Sequence, residues 1–283
     1  MSLCFFKLYN QEVGIVPCTA YFAGVFVLNF APEAHPLPSP PWTGLGRRLE
    51  SAVRKAIFDF HLLDGVPKLA VALSGGKDSL TMLFLLHAIA GRGFPPFEIC
   101  ALHVTGDYSC GASIGIAFLN DICQQFDIPL LTKATPPLSG PIDCYTCSRR
   151  RRSLLFAMAK EAGCTTIAFG HHQDDNAQTT LMNLFHKGEF CGLLPKITMQ
   201  HYGITIIRPL LYIDEKSIKA FAQYYGYQRV TCRCPAGQNS LRKKTDQCLE
   251  ILSDLYPNVR ANVAQASLTY GSQKASRASD SPS

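Results

Sequence analysis

Three groups of residues in this chain have the types and spacing for chemistry. The first is Ser74-Gly75-Gly76-Lys77-Asp78-Ser79. Adjacent glycines at a turn let the backbone approach a ligand closely. The two serines add hydroxyls and Lys77 adds a positive charge. The apolar run 69–73 before the turn reads as a buried strand, and 80–86 after it reads as the start of a helix. A helix that begins there aims its unpaired N–H groups and its dipole at the turn, which favours an anion. The loop therefore reads as a phosphate cradle. It is not a Walker A sequence, because that motif needs four residues between its glycines. An ordinary Gly-Gly turn is the bland alternative, and six matched residues between a strand and a helix weigh against it.

The second group is made of thiols. Cys144-Tyr145-Thr146-Cys147 is a C-x-x-C pair just ahead of an expected helix, and Cys232-Arg233-Cys234-Pro235 begins 85 residues after Cys147. A helix N-terminus favours the deprotonated thiol. Three readings stay open: four cysteines on structural zinc, a redox pair, or three thiolates on an iron–sulfur cluster with one iron left open. Cys-x-Cys is an unusual zinc knuckle, which favours the three-thiolate site. Cys100 and Cys164 lie in apolar runs and read as small core residues.

The third group is Gly170-His171-His172-Gln173-Asp174-Asp175. Adjacent histidines point in different directions, and the H-E-x-x-H spacing of a zinc hydrolase is absent from the sequence. A helix cap at Asp174 beside a satisfied histidine is the structural alternative.

The elements that must position these groups alternate. Strands are expected over about 69–73, 98–104, 129–133, 165–169 and 204–208, with helices over about 79–90, 114–126, 148–162, 174–186 and 214–225. That order means βαβ units and an α/β fold, a parallel twisted sheet with helices on both faces. Ligands of such sheets sit beyond the carboxyl ends of the strands. The glycine loop lies there, as do His103 and Gly170. Ahead of the sheet, Leu49, Val53, Ile57 and Phe60 recur at helical spacing. The division expected is an N-terminal extension with a proline-rich linker over 1–45, a catalytic domain over 46–255, and a partly disordered tail over 256–283.

An apolar content of 47% with 17% charged residues describes a globular chain with a sizeable core rather than a disordered one. The net charge of +6 permits a polyanionic partner without requiring it. Twelve cysteines among 283 residues are too sparse for a secreted disulfide scaffold, so a reducing, cytoplasmic compartment is expected. The uncharged stretch 13–32 has the length of a bilayer span, but Gly14, Pro17, Gly24 and Asn29 interrupt it. No stable membrane association is expected.

Three strings carry a family resemblance. The loop S-G-G-K-D-S resembles the pyrophosphate loop of the PP-loop superfamily of ATP pyrophosphatases, with its adenine nucleotide alpha hydrolase-like fold. Cys144-x-x-Cys147-Ser148-Arg149-Arg150-Arg151-Arg152, the run from Gly170 through Gln178-Thr179, and Arg208-Pro209-Leu210 resemble the tRNA 2-thiocytidine synthetases, in that family's order. The resemblance covers about 47–250 and implies ATP-dependent thiolation of an anticodon-loop cytidine in tRNA. It implies ATP, Mg2+ and a [4Fe-4S] cluster as cofactors, with Cys144, Cys147 and either Cys234 or Cys232 as ligands. The family has C-x-x-C at the last position where this chain has Cys-x-Cys-Pro, so Cys234 is favoured and Cys232 is the runner-up.

The implied roles follow. Ser74, Gly75, Gly76 and Ser79 hold phosphates, Lys77 stabilises the leaving pyrophosphate, and Asp78 binds magnesium or caps the helix. His103, Gly170, His171 and Asp174 border the nucleotide. Arg149 to Arg152, Lys187, Lys196, Arg208, Arg242, Lys243 and Lys244 offer contacts to tRNA phosphates. A sulfur donor protein or sulfide is the second partner; PP-loop relatives often dimerise, so a homodimer is one open assembly, and the sequence does not select it. The rival readings are a PP-loop thiouridine synthetase, a lysidine synthetase-like enzyme, or a non-catalytic ATP, tRNA or metal carrier.

Overall fold

In this computed structural model the described residues are 37–42, 44–106, 116–135, 144–227 and 240–271. In chain order the elements are α1 (Gly44–Asp59), β1 (Lys68–Ala72), α2 (Lys77–Ile89), β2 (Glu98–Thr105), α3 (Ile116–Gln125), β3 (Leu130–Ala134), α4 (Cys144–Glu161), β4 (Thr166–Ala168) and α5 (Gln173–Lys187), followed by β5 (Lys196–Met199), β6 (Ile204–Ile207), α6 (Glu215–Tyr224), α7 (Leu241–Leu255) and α8 (Val259–Tyr270).

Alternation along β1 sets the layers, because successive side chains of a strand face opposite ways. Leu69 and Val71 enter a core shared with α1, α2, α3 and α6, whereas Ala70 and Ala72 enter a second core shared with α4. A strand buried on both faces reads as continuously apolar, as the sequence suggested. Helix α2 is buried nearly all round, from Leu80 to Leu86, which places it under the other helices rather than on the surface. The strand order is β3-β2-β1-β4-β6-β5. Five strands are parallel and β5 runs antiparallel to β6, pairing Lys196 with Ile207 and Met199 with Ile204. The expected mostly parallel α/β sheet with helices on both faces is present.

Four features differ from the expectation. Strand β5 is an edge strand, joined to β6 through the 3-10 turn Gln200–Tyr202 and Gly203 at φ 57°; its weak apolar pattern hid it. Helix α4 begins at Cys144 rather than near 148, so the C-x-x-C pair lies inside its first turn. The body begins earlier than 46, because Trp42 is buried against Phe221 with ring centroids 5.7 Å apart. It also extends past 255: α7 and α8 pack on α5 through Leu181, Leu249 and Ala264. The side chain of Asn176 secures that join. Its amide donates to Ala264 O (3.2 Å) and Ser267 Oγ (3.0 Å), and its Oδ1 accepts from the Leu193 N–H (2.6 Å). Among the described residues no helix is long and apolar enough to cross a membrane. The apolar stretch 13–32 lies outside them.

Candidate active site

The glycine loop joins the carboxyl end of β1 to α2. Gly75 has φ +76°, a left-handed value that favours glycine, and Gly76 is the extended N-cap of α2. The first-turn amides of α2 have no acceptor within the helix. The serine hydroxyls brace the loop internally. Ser79 Oγ donates to Gly76 O (3.0 Å) and accepts from the Ser74 N–H (3.2 Å), and Ser74 Oγ accepts from the Gly76 N–H (3.2 Å). From below, His103 Nδ1 is 2.7 Å from Leu73 O. His103 is 2% exposed, so it supports the base of the loop and has almost no surface for a nucleotide. Burial above all holds its ring below the ordinary imidazole pKa, and the Arg151 charge adds to this despite the hydrogen bond to Leu73 O.

The loop after β4 closes against this turn. A Cβ added to Gly170 would lie 3.1 Å from the backbone C and O of Asp78 and from Ser79 N. A side chain there would push the two turns apart by a few tenths of an ångström, so glycine suits the approach. His172 then caps α5, its N–H donating to Asp175 Oδ2 (3.1 Å). Its ring Nε2 lies 3.8 Å from Asp78 Oδ1 and 3.5 Å from Asp175 Oδ2. Asp174 is committed elsewhere. Its Oδ2 accepts the Glu215 N–H at the start of α6 (2.7 Å), and its Oδ1 lies 3.6 Å from Arg260 Nη1. Asp174 therefore ties α5, α6 and α8 together, a bracing role the sequence did not suggest. Asp175 pairs with Arg242 Nη1 at 2.7 Å. Burial raises the pKa of Asp175, but His172, His171 and Arg242 outweigh it and hold the carboxyl ionised.

Lys77 is ringed by carboxylates, with Asp78 Oδ1 at 2.9 Å and Glu215 Oε1 at 3.0 Å. Burial lowers its pKa, yet Asp78 and Glu215 more than compensate, so it stays protonated. Sequence reasoning missed Glu215. The signal available was its place at the start of the helix after the last parallel strand, marked by Asp214, whose Oδ1 accepts from the Ser217 N–H (2.7 Å).

The thiol helix shares the same sheet edge. Arg151 Nη2 donates to Val104 O (3.3 Å) near the carboxyl end of β2, the strand that carries His103. The first two turns of α4 therefore lie beyond the strand ends where the glycine loop lies. Cys147 is half-buried in the first turn, and Cys144 opens the helix. Cys232 and Cys234 fall outside the described residues. Among the described residues no three His, Cys, Asp or Glu side chains are grouped to hold a metal ion. Cys100 and Cys164 are core residues as expected; burial raises both thiols, Cys164 to about 11.

The family model described as PP-loop domain matches residues 46–233. A tRNA-cytidine(32) 2-sulfurtransferase of Xylella fastidiosa (strain M12) is 35% identical over 234 residues, which are 78% of this chain and 76% of that protein. A protein of the same name from Xanthomonas euvesicatoria pv. vesicatoria (strain 85-10) is 33% identical over 254 residues, 83% of this chain and 81% of its own. Among solved structures, the U34-tRNA thiolase NcsA from Methanococcus maripaludis with its [4Fe-4S] cluster superposes with a TM-score of 0.66 at 24% identity, covering 81% of each chain. At that identity the likeness is one of fold. The sequence relatives extend across both the glycine loop and the thiol helix, and on that ground the chain belongs to the PP-loop family, among its tRNA-cytidine 2-sulfurtransferases.

Proposed function

We propose that this chain adenylates the C2 oxygen of an anticodon-loop cytidine in tRNA with ATP and replaces that oxygen with sulfur. The observation that carries the reading is the shared edge: the glycine loop, the turn at Gly170 and the first turns of α4 all lie beyond the carboxyl ends of one parallel sheet. A nucleotide and a sulfur-bearing site on one edge can serve one base.

The chain's own residues act as follows. The amide of Gly75 with the N-terminus of α2 holds the triphosphate, and Ser74 and Ser79 keep the loop in shape, Ser74 through the Gly76 N–H. The cytidine C2 oxygen attacks the α-phosphorus, and the bond to pyrophosphate breaks. Lys77 neutralises charge on the departing group, a role that its retained proton supports. The backbone at Gly170 and His171 borders the adenosine. Asp78 and Asp175 supply hard carboxylate oxygens of the kind Mg2+ takes. Cys144 and Cys147, three residues apart at the start of α4, fit two positions of a three-thiolate cluster, with Cys234 or Cys232 as the third. A [4Fe-4S] cluster held by these thiols would offer an open iron site for a donor-derived hydrosulfide, which would displace AMP at the activated C2. Buried thiols at Cys100, Cys123 and Cys164 support a reducing, cytoplasmic setting. The sulfur donor and a homodimeric assembly stay part of this proposal.

The test is reconstitution. The full chain is purified without oxygen, loaded with iron and sulfide, and given ATP, magnesium and unmodified tRNA. Mass spectrometry of the nucleosides is expected to show a 2-thiocytidine that depends on ATP, and Cys144→Ser should lose it together with the visible iron–sulfur absorbance. Full thiolation by Cys144→Ser, or pyrophosphate release with no thiolated nucleoside, would sink the reading.

A further inference from the structure

The α4 face of the sheet carries a group of cations that the nucleotide loop does not use. β4 and β6 pair in parallel with Ala168 opposite Ile207, and the Phe169 N–H continues the ladder to Ile207 O (3.0 Å). Ile167, Ile204 and Ile206 point into the core under α4, and Phe169 packs against it. By strand alternation Arg208, the residue directly after β6, falls on that same face. The His171 ring stacks on Phe169, with centroids 5.8 Å apart. Arg208 is buried, and its Nη1 donates to Leu194 O. Arg208 Nε and His171 Nδ1 are buried with no hydrogen-bond partner among the described residues.

The charge there is not balanced. Among the described residues no carboxylate lies within ion-pair distance of Arg208 or of Arg149, Arg150, Arg151 and Arg152. Asp175, the acid whose charge reaches Arg208, is already paired with Arg242. Burial first, then the Arg152 charge, holds the Arg208 guanidinium down to about 10. Burial above all, with the charges of Arg208 and Arg242, holds the His171 ring neutral, at about 3, against the pull of Asp175. A buried guanidinium without an opposite charge is costly unless something completes it.

We propose that Arg208 and Arg152, with His171 beside them, form a phosphate subsite that holds a phosphodiester of the tRNA strand next to the modified nucleotide. This rests on the tRNA sulfurtransferase reading. The ATP loop has its own cation in Lys77 and opens from α2, which packs on the opposite face. The α4 face instead continues into exposed Arg149, Arg150 and Arg152, a surface open to a polymer. A guanidinium fork matches phosphate oxygens, and a neutral imidazole offers a ribose hydroxyl a hydrogen bond without adding charge.

The test uses the full chain and an unmodified tRNA transcript. Arg152→Gln alters an exposed residue, and Arg208→Lys keeps the buried charge while losing the fork; thermal unfolding checks that both fold. Arg152→Gln is expected to weaken tRNA binding about fivefold to tenfold at low salt, to lower the slope of log K against log salt by about 0.7 to 1, and to leave ATP affinity within about twofold. Arg208→Lys is expected to weaken tRNA binding about threefold or more with the slope retained. An unchanged slope in Arg152→Gln overturns the subsite, and a parallel loss of ATP affinity assigns the phosphate to the nucleotide and overturns it too. If the wild type thiolates tRNA while both variants bind it equally well, the subsite alone fails. If the wild type binds tRNA with an Arg152-dependent slope and thiolates no cytidine, the activity reading alone fails.

Discussion

Lys77 Nζ sits 3.0 Å from Glu215 Oε1, joining the first residue of α2 to the first residue of α6 across the mouth of the glycine loop. The other oxygen of Glu215 is 3.0 Å from Lys219 Nζ. Burial raises the carboxyl's pKa, but Lys219 and Lys77 together bring it below the ordinary glutamate value. Glu215 is thus an ionised carboxylate that holds the phosphate-loop lysine and also competes with phosphate for it.

Glu215→Gln should therefore tighten ATP binding. A half-exposed negative charge near an incoming triphosphate opposes it by on the order of 1 kcal/mol, about fivefold in affinity. The gain should shrink as salt rises. Titration with a fluorescent ATP analogue at two salt concentrations reads both effects, and weaker binding in the variant would contradict the competing role.

Gly170→Ala should separate the two halves of the nucleotide site. The new methyl meets backbone atoms of Asp78 and Ser79 at 3.1 Å, and backbone cannot swing aside as a side-chain tip can. The contact lies at the top of the sheet rather than in either core, so ATP affinity is expected to fall about tenfold or more while thermal stability falls by about 1 kcal/mol. Calorimetric titration beside thermal melts checks the split; normal ATP affinity would mean the loop yields freely.

Asn176→Ala should loosen α8 from α5. The change strands the Leu193 N–H and removes the bonds to Ala264 O and Ser267 Oγ, which keep the bond they make to each other (3.0 Å). One buried group left unpaired costs about 1–3 kcal/mol, so the loss is expected in that range. Urea denaturation measures it, and proteolysis should cut first near 240–271. A loss under about 1 kcal/mol would show that the C-terminal helices contribute little to folding.

Stability should fall as pH drops below the ordinary imidazole range because of His171. Burial above all, with the Arg208 and Arg242 charges and against the pull of Asp175, keeps its ring neutral down to about 3. Between about 6.5 and 3 the unfolded chain binds a proton that the folded chain refuses, so unfolding becomes easier as pH falls, by up to about 1.4 kcal/mol per pH unit. His171→Asn should flatten that part of the pH–stability curve. An unchanged slope between pH about 6 and 4 in the variant would assign the acid sensitivity to other groups.

The sequence by itself determined the features encoded within short windows. Two adjacent glycines between an apolar strand and an apolar helix specify an anion turn, and alternating strand and helix periods specify a parallel sheet with its ligands at the carboxyl edge. The thiols of Cys144 and Cys147, three residues apart, were likewise legible as a pair. Only the tertiary structure decided how residues far apart in the chain divide their labour. Asp174 resembled a nucleotide or metal ligand, yet its oxygens are taken by Glu215 and Arg260, which are 41 and 86 residues away. His103 resembled a site residue and is a buried prop. Strand β5 and helices α7 and α8 form because β6 and α5 offer them an edge and an apolar face. Such choices depend on partners that no local pattern contains: a carboxylate has several acceptor sites, and which donors occupy them is settled only when the chain has folded around it.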